Sequence, residues 1–354
     1  METAGASAGL AGALSRLRAS TAGRRRLAVL LVALGLGGAV GLLIGQAVGS
    51  EEIARALERA DLRWLPLCLV SELASYFGYV LAYRQTARVA GGPDLPLGLA
   101  ARVIALGFGG TALASTPGGL AVDYWALHEA GAARADAVTR VLALNTAKWL
   151  ALGLAAAAAG VAVASGAVPG PTAMAYGWLA AVGPSTALAA WVSTSTRARR
   201  WTARVPAGRG LLRRMLADAI GGVVYVRRLV AEPLRNVAAL IGFPLYWVGD
   251  LACLYWALRS FGVRPSLVPL ILGYATGYVA TGLPLPLGGS GGVEAAMTYA
   301  LHSVGIPLAP ALLGVGVYRL FGFWLPLLVA GATVPTLGGL GASLARVRRI
   351  PAER

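Results

Sequence analysis

The chain has 354 residues, 57% of them apolar and only 13% charged, with a mean hydropathy of +0.68. A soluble domain carries roughly 25% charged residues, so that class is excluded, and the weak ten-residue alternation of a membrane β-barrel does not describe these long apolar runs. The formal charge of +16 sits on arginines beside apolar segments, where lipid headgroups rather than nucleic acid are the natural partner.

Residues 27–50, 149–196, 265–293 and 320–345 contain no Asp, Glu, Lys or Arg. About 20 apolar residues cross the hydrocarbon core. The expected fold is an all-α polytopic membrane protein with roughly eight full transmembrane helices and two broken or re-entrant short helices.

In chain order, 1–26 is a basic cytoplasmic N-terminus and 27–340 a single membrane domain. The first span, 27–48, follows Arg24, Arg25 and Arg26 and is too long for a signal-peptide core, so it reads as a retained anchor. A mixed-charge helix is expected over 51–63, then spans over 64–83 and 97–115. A break at Ser115-Thr116-Pro117-Gly118-Gly119 leads to a short helix, 120–131. Spans follow over 138–165 and 173–192. The loop 193–235 holds ten arginines against Asp218 and Glu232, the mark of a cytoplasmic segment. Within it, 208–231 has apolar residues at helical spacing and reads either as a surface helix or as a plain topology-setting loop. Spans over 237–258 and 267–285 precede a second break, Pro284 to Gly292, a short helix over 293–304 and a last span over 310–331. A basic cytoplasmic tail, 341–354, ends the chain.

Two stretches read alike. Trp125-Ala126-Leu127-His128-Glu129-Ala130-Gly131 matches Tyr299-Ala300-Leu301-His302-Ser303-Val304-Gly305, 174 positions on, and each follows a Gly/Pro-rich break. Repeat one covers about 64–165 and repeat two about 237–331. Their opening helices run in opposite directions by the arginine rule. Inverted repeats with interrupted helices at matching places are the sequence pattern of a secondary-transporter core.

A break inside the bilayer frees backbone groups that must face protein or water. The helix that starts there turns its amides inward, which suits an anion. Pro286, Gly288, Gly289, Gly291 and Gly292 form the second break, and Glu294 lies in the first turn after it. Asp123 has a related but later place after the first break. Arg319 and Lys148, the chain's sole lysine, are intramembrane cations; a Glu294–Arg319 pair is expected. Glu72 and Asp250 are intramembrane carboxylates suited to a charge relay or to pairing with those cations. His128 and His302 read as helix-end residues. Cys68 and Cys253 have no metal-ligand spacing, and no phosphate loop or dinucleotide fingerprint occurs, so no cofactor, metal or catalytic residue is expected.

The run from Pro286 to Glu294, the helix after it and Tyr318-Arg319 resemble the second-half signature of the lysylphosphatidylglycerol synthase transmembrane-region family. The first copy, Pro117 to Asp123, departs from that pattern, which leaves the role of Asp123 open. The resemblance implies a flippase-like inner-membrane domain with its termini in the cytoplasm. It also implies that aminoacyl transfer belongs to a separate soluble domain, so this chain is expected to stand alone as a translocator. It points to Pro286, Gly288, Gly289, Gly291, Gly292, Glu294 and Arg319 as substrate contacts. The function read here is translocation of a phospholipid or lipid-linked anionic headgroup, with phosphate at the helix starts and Arg319 and Lys148 in support. The alternatives are a membrane scaffold with a partner-recruiting basic loop, or an integral membrane transferase using a lipid-phosphate donor. The partners expected are membrane lipids, and a homo-oligomer is compatible with the chain.

Overall fold

The computed structural model describes residue 46 and residues 49–197, 200, 211–282, 291–333 and 336–347, without the side chains of 112–117, 211–216 and 337–338. The expected first span at 27–48 and Pro286, Gly288 and Gly289 of the second break lie outside the described residues. The described chain is helical: α1 (Ser50–Glu58), α2 (Leu65–Arg88), α3 (Leu97–Glu129), α4 (Arg134–Ala164), α5 (Thr172–Thr194), α6 (Leu211–Ala231), α7 (Val237–Arg259), α8 (Leu267–Tyr278), α9 (Gly292–Ser303), α10 (Leu308–Thr333) and α11 (Leu337–Val347). Among the described residues four stretches are long and apolar enough to cross a bilayer: Leu62–Gly91, Arg134–Ala164, Val237–Arg259 and Leu308–Thr333. The chain is therefore a multi-pass membrane protein. α5 is uncharged and exposes Tyr176, Leu188 and Trp191.

Two of the expected full spans, 97–115 and 267–285, are corrected. α3 is helical throughout, but it doubles back on itself. In a straight helix residues 107 and 123 would stand about 24 Å apart. Here a methyl group placed on Gly107 would lie 3.5 Å from Asp123 Oδ1, and one on Gly110 would lie 2.7 Å from the Gly118 carbonyl. The arms Leu97–Thr111 and 118–129 thus form a hairpin. α8 and α9 form a second one, in which a methyl on Gly277 would lie 2.5 Å from Met297 Cα. The first arms, Leu97–Thr111 and Leu267–Gly282, rise only about 22–26 Å, short of a ~30 Å hydrocarbon core. Apolar length alone suggested a crossing; the contacts between the arms show that each turns back.

α2 and α7 cross antiparallel at the centre. A methyl on Gly78 would meet Tyr246 N at 2.6 Å, and one on Gly249 would meet Ser71 O and Ser75 N at 2.6 Å each. These glycines let the two backbones touch, the usual device where lipid supplies no hydrophobic drive between helices. The Cys68 thiol reaches the Cys253 carbonyl across the same seam.

The two ends of the molecule differ. At one end Gln85 Nε2 donates to Arg235 O, and Arg84 Nε donates to Leu95 O at 2.7 Å. Arg140, 2% exposed, gathers the end of α2 there: its Nη1 donates to the carbonyls of Thr86, Ala87 and Val89 and to the Tyr225 hydroxyl, and its Nε to Asp136. α6 packs on α4 at this end through Tyr225, Val226 and Leu229, so the amphipathic stretch is a docked helix rather than a plain loop. At the other end Asp61 N donates to Ser260 O, and Trp64 stacks on Trp256. The α3 hairpin starts from the arginine-rich end, and the α8–α9 hairpin from the opposite one.

Candidate functional site

α2, both hairpins, α4, α7 and α10 surround a central cavity of ≈ 120 Å³. Five ionisable residues singled out from the sequence line it: Glu72, Asp123, Lys148, Asp250 and Arg319. The sixth, Glu294, is joined to it through Arg319.

Arg319 lies one residue before a π-helical stretch, Leu320–Trp324, inside α10. Such wide turns are frequent at functional sites. Its Nε donates to Glu294 Oε1 at 2.8 Å, and its guanidinium covers the Phe323 ring at 4.1 Å. The expected pair is therefore formed. The other Glu294 oxygen accepts the Gly291 amide at 2.6 Å, at the start of α9. Gly291 has φ 88°, a conformation that favours glycine. One carboxylate thus caps a helix and holds an arginine. Arg319 Nη2 is buried with no hydrogen-bond partner among the described residues.

Glu72 and Asp250 face each other over Gly322. A methyl on Gly322 would lie 3.5 Å from Glu72 Oε1 and 3.7 Å from Asp250 Oδ1. Asp250 Oδ2 accepts the hydroxyls of Tyr274 and of Tyr318, the latter at 2.9 Å. Tyr76 donates to the Gly322 carbonyl, and the Tyr246 and Tyr278 hydroxyls meet at 3.1 Å. Glu72 and Asp250 form no ion pair with Lys148 or Arg319, one of the two arrangements open from the sequence. The Lys148 ammonium lies 5.7 Å from the centre of the Tyr79 ring, and the Lys148 carbonyl accepts Trp247 Nε1 at 2.7 Å.

Buried polar atoms are normally paired, and each exception calls for an explanation. Among the described residues seven buried side-chain atoms lack a partner, and four of them belong to this cavity: Glu72 Oε2, Asp123 Oδ1, Asn145 Oδ1 and Arg319 Nη2. Their concentration in one place marks a wet or ligand-filled space rather than scattered packing faults. No group of three His, Cys, Asp or Glu suited to a metal ion occurs among the described residues.

His128 and His302 stand at helix ends. Nδ1 of each lies 3.1 Å from a backbone carbonyl four residues on, Ala132 for one and Ile306 for the other. The sequence reading passed over Asn145, Trp149, Tyr246 and Tyr278 as site residues. Tyr274 and Tyr278, one turn apart in an otherwise aliphatic helix, were the available signal for an aromatic wall.

The described residues thus make a polytopic helical membrane protein with a buried, charged cavity between two helical hairpins. The family model described as the lysylphosphatidylglycerol synthase TM region matches residues 26–330, and the chain belongs to that family. No curated protein matches it.

Proposed function

We propose that the chain translocates a phospholipid or lipid-linked anionic headgroup across the membrane. The observation that carries this reading is the buried, unpartnered Nη2 of Arg319 in a central cavity that Lys148 also lines. A guanidinium edge with no protein acceptor matches a phosphate oxygen in shape and charge. In this reading the phosphate also meets backbone amides at the start of α9, where Gly291 and Gly292 lie; Pro286, Gly288 and Gly289, the other expected contacts, lie outside the described residues. The Gly291 amide is already engaged by Glu294, so in this reading Arg319 and Lys148 supply most of the attraction. Glu294 positions Arg319. Asp123, Glu72 and Asp250 meet cationic parts of the headgroup or relay charge.

The contact pattern supports two repeats of inverted topology. Ser71 and Ser75 touch Gly249, while Gly242 and Tyr246 touch Gly78; Ser71, Ser75 and Gly78 map onto Gly242, Tyr246 and Gly249, 171 positions on. The same shift of about 170 relates Gly107 to Gly277, and one of 174 relates Asp123 to Met297 and His128 to His302. Both helix ends share one motif, with left-handed Gly131 (φ 102°) and Gly305 (φ 93°). A two-fold relation between antiparallel spanning helices has its axis in the membrane plane, which inverts one half relative to the other. With Arg84, Arg88, Arg140, Arg228 and Arg235 gathered at one end, that end faces the cytoplasm. In a bacterial cell the membrane of this reading is the inner membrane.

The test is scrambling of labelled phosphatidylglycerol, aminoacylated phosphatidylglycerol and a polyprenyl-phosphate lipid in proteoliposomes. Transport of one of them, lost in Arg319→Ala, is expected. A folded protein that moves none of the three refutes the reading.

A further inference from the structure

A second, larger space of ≈ 420 Å³ adjoins the charged cavity. It is a groove between α2, the first arm of α3 and α10. Its walls are apolar, with Leu73, Phe77, Ala101, Ala105, Leu325 and Val329 among them. Ala101 and Ala105 stand one turn apart and leave the floor open where larger side chains would fill it. At its outer rim Leu73 is 59% and Phe77 48% exposed, so the groove opens sideways, toward the hydrocarbon around a spanning protein. Its inner end is shared: Glu72, Tyr76, Ile104, Phe108 and Pro326 line the groove and the charged cavity alike.

That continuity defines the occupant. A free anion would use the cavity and leave the apolar groove empty. A covering helix would fill the groove and reach none of the buried charges. Only an amphipathic molecule satisfies both: an ionic head against Arg319 Nη2 and the unpartnered Glu72 Oε2, and a hydrocarbon chain in the groove. We propose that this groove is the acyl-chain site and lateral portal of a membrane phospholipid, with Glu72 and Tyr76 at the head–tail boundary. This rests on the translocator reading for the head's destination.

The experiment places the photoreactive p-benzoylphenylalanine at Ala101 of the full chain in phosphatidylglycerol liposomes, with the same substitution at lipid-facing Leu188 as reference. Lipid capture at position 101 should fall when Ala105→Trp fills the groove, and capture at position 188 should not change. The same Ala105→Trp change should slow lipid transport roughly tenfold, as extra bulk in an apolar subsite does. Ala105→Leu gives a milder version should the tryptophan variant fail to fold, and an intermediate rate is expected from it. Equal capture at both positions regardless of residue 105 overturns the proposal, and so does cross-linking of position 101 to the chain's own segment 27–48. Groove-specific capture without any transport would instead keep the groove and sink the translocator reading. Transport indifferent to residue 105 would do the reverse.

Discussion

Glu294→Gln isolates the role of the ion pair. Arg319 and Glu294 are 10% and 16% exposed at their side chains, with Nε and Oε1 2.8 Å apart. At a separation of ~4 Å between charge centres and an effective dielectric of ~20, their attraction is about 4 kcal/mol. Glutamine keeps one carbonyl oxygen, which can serve Arg319 or the Gly291 amide but not both. Its NH₂ would then confront the other donor, a further cost of about 1 kcal/mol. Removing one partner of a buried pair typically costs 3–5 kcal/mol because the remaining charge is stranded, so Glu294→Gln should destabilise by about 4 kcal/mol. Arg319→Gln should cost about 3, and the double variant should recover some 2–3 kcal/mol relative to the sum, since neither charge is then left alone. The assay is equilibrium unfolding of the detergent-purified protein, followed by tryptophan fluorescence, over the four-member cycle. Additive single effects, or a Glu294→Gln change below about 0.5 kcal/mol, would refute the reasoning that Glu294 holds Arg319 in a low-dielectric site.

Three further outcomes follow from the same geometry. Gly249→Ala should destabilise by roughly 1–3 kcal/mol, because its methyl would press on the backbone of Ser71 and Ser75 rather than on a yielding side chain; an unchanged unfolding midpoint would contradict the close α2–α7 contact. Arg140→Lys should cost about 2–3 kcal/mol in the same assay, since a single ammonium has three donors where this guanidinium serves three carbonyls, Tyr225 and Asp136; Tyr225→Phe should cost about 1. Lys148→Met should stop transport in proteoliposomes while leaving stability unchanged or higher, because Lys148 has no ion pair among the described residues; a clear loss of stability would show that its charge is satisfied in the fold.

The intramembrane ions were legible because charge inside apolar runs is costly and therefore rare. Six such residues, read one by one along the chain, converge on a single site. The Glu294–Arg319 pair could be anticipated because a buried arginine needs an acid and Glu294 was the nearest acidic residue in the same half. The hairpins were half legible. Gly and Pro announced both turns, but apolar length was taken as crossing length, and contacts such as Gly107 with Asp123 and Gly277 with Met297 show that each first arm turns back. Arg140 was not legible at all. It looks like one more arginine at a helix start, and its importance comes from three carbonyls more than 50 positions away.

In the inverted-repeat reading, residue type and backbone contacts pair different positions. By the contacts, the partner of Asp123 is Met297, not Glu294, and the position matching Glu294 at the same shift is Leu120, which lines the cavity. Likewise Glu72 corresponds to Phe243 and Asp250 to Tyr79 under the α2–α7 relation, so two acids that look equivalent in sequence occupy different places. In that reading a two-fold backbone needs only small residues at its crossings and glycines at its helix ends, as at Gly78 and Gly249 and at Gly131 and Gly305. Charges are under no such demand. Each half therefore brings different groups to the centre: the first supplies Glu72, Asp123 and Lys148, the second Asp250 and the Glu294–Arg319 pair. In the inverted-repeat reading, exchanging the two halves between outward and inward arrangements would swap the surroundings of a bound headgroup, not merely its access. In that reading an asymmetric set of charges on a symmetric frame gives a bound lipid different partners in the two states, and that difference sets how strongly the lipid shifts the balance between them.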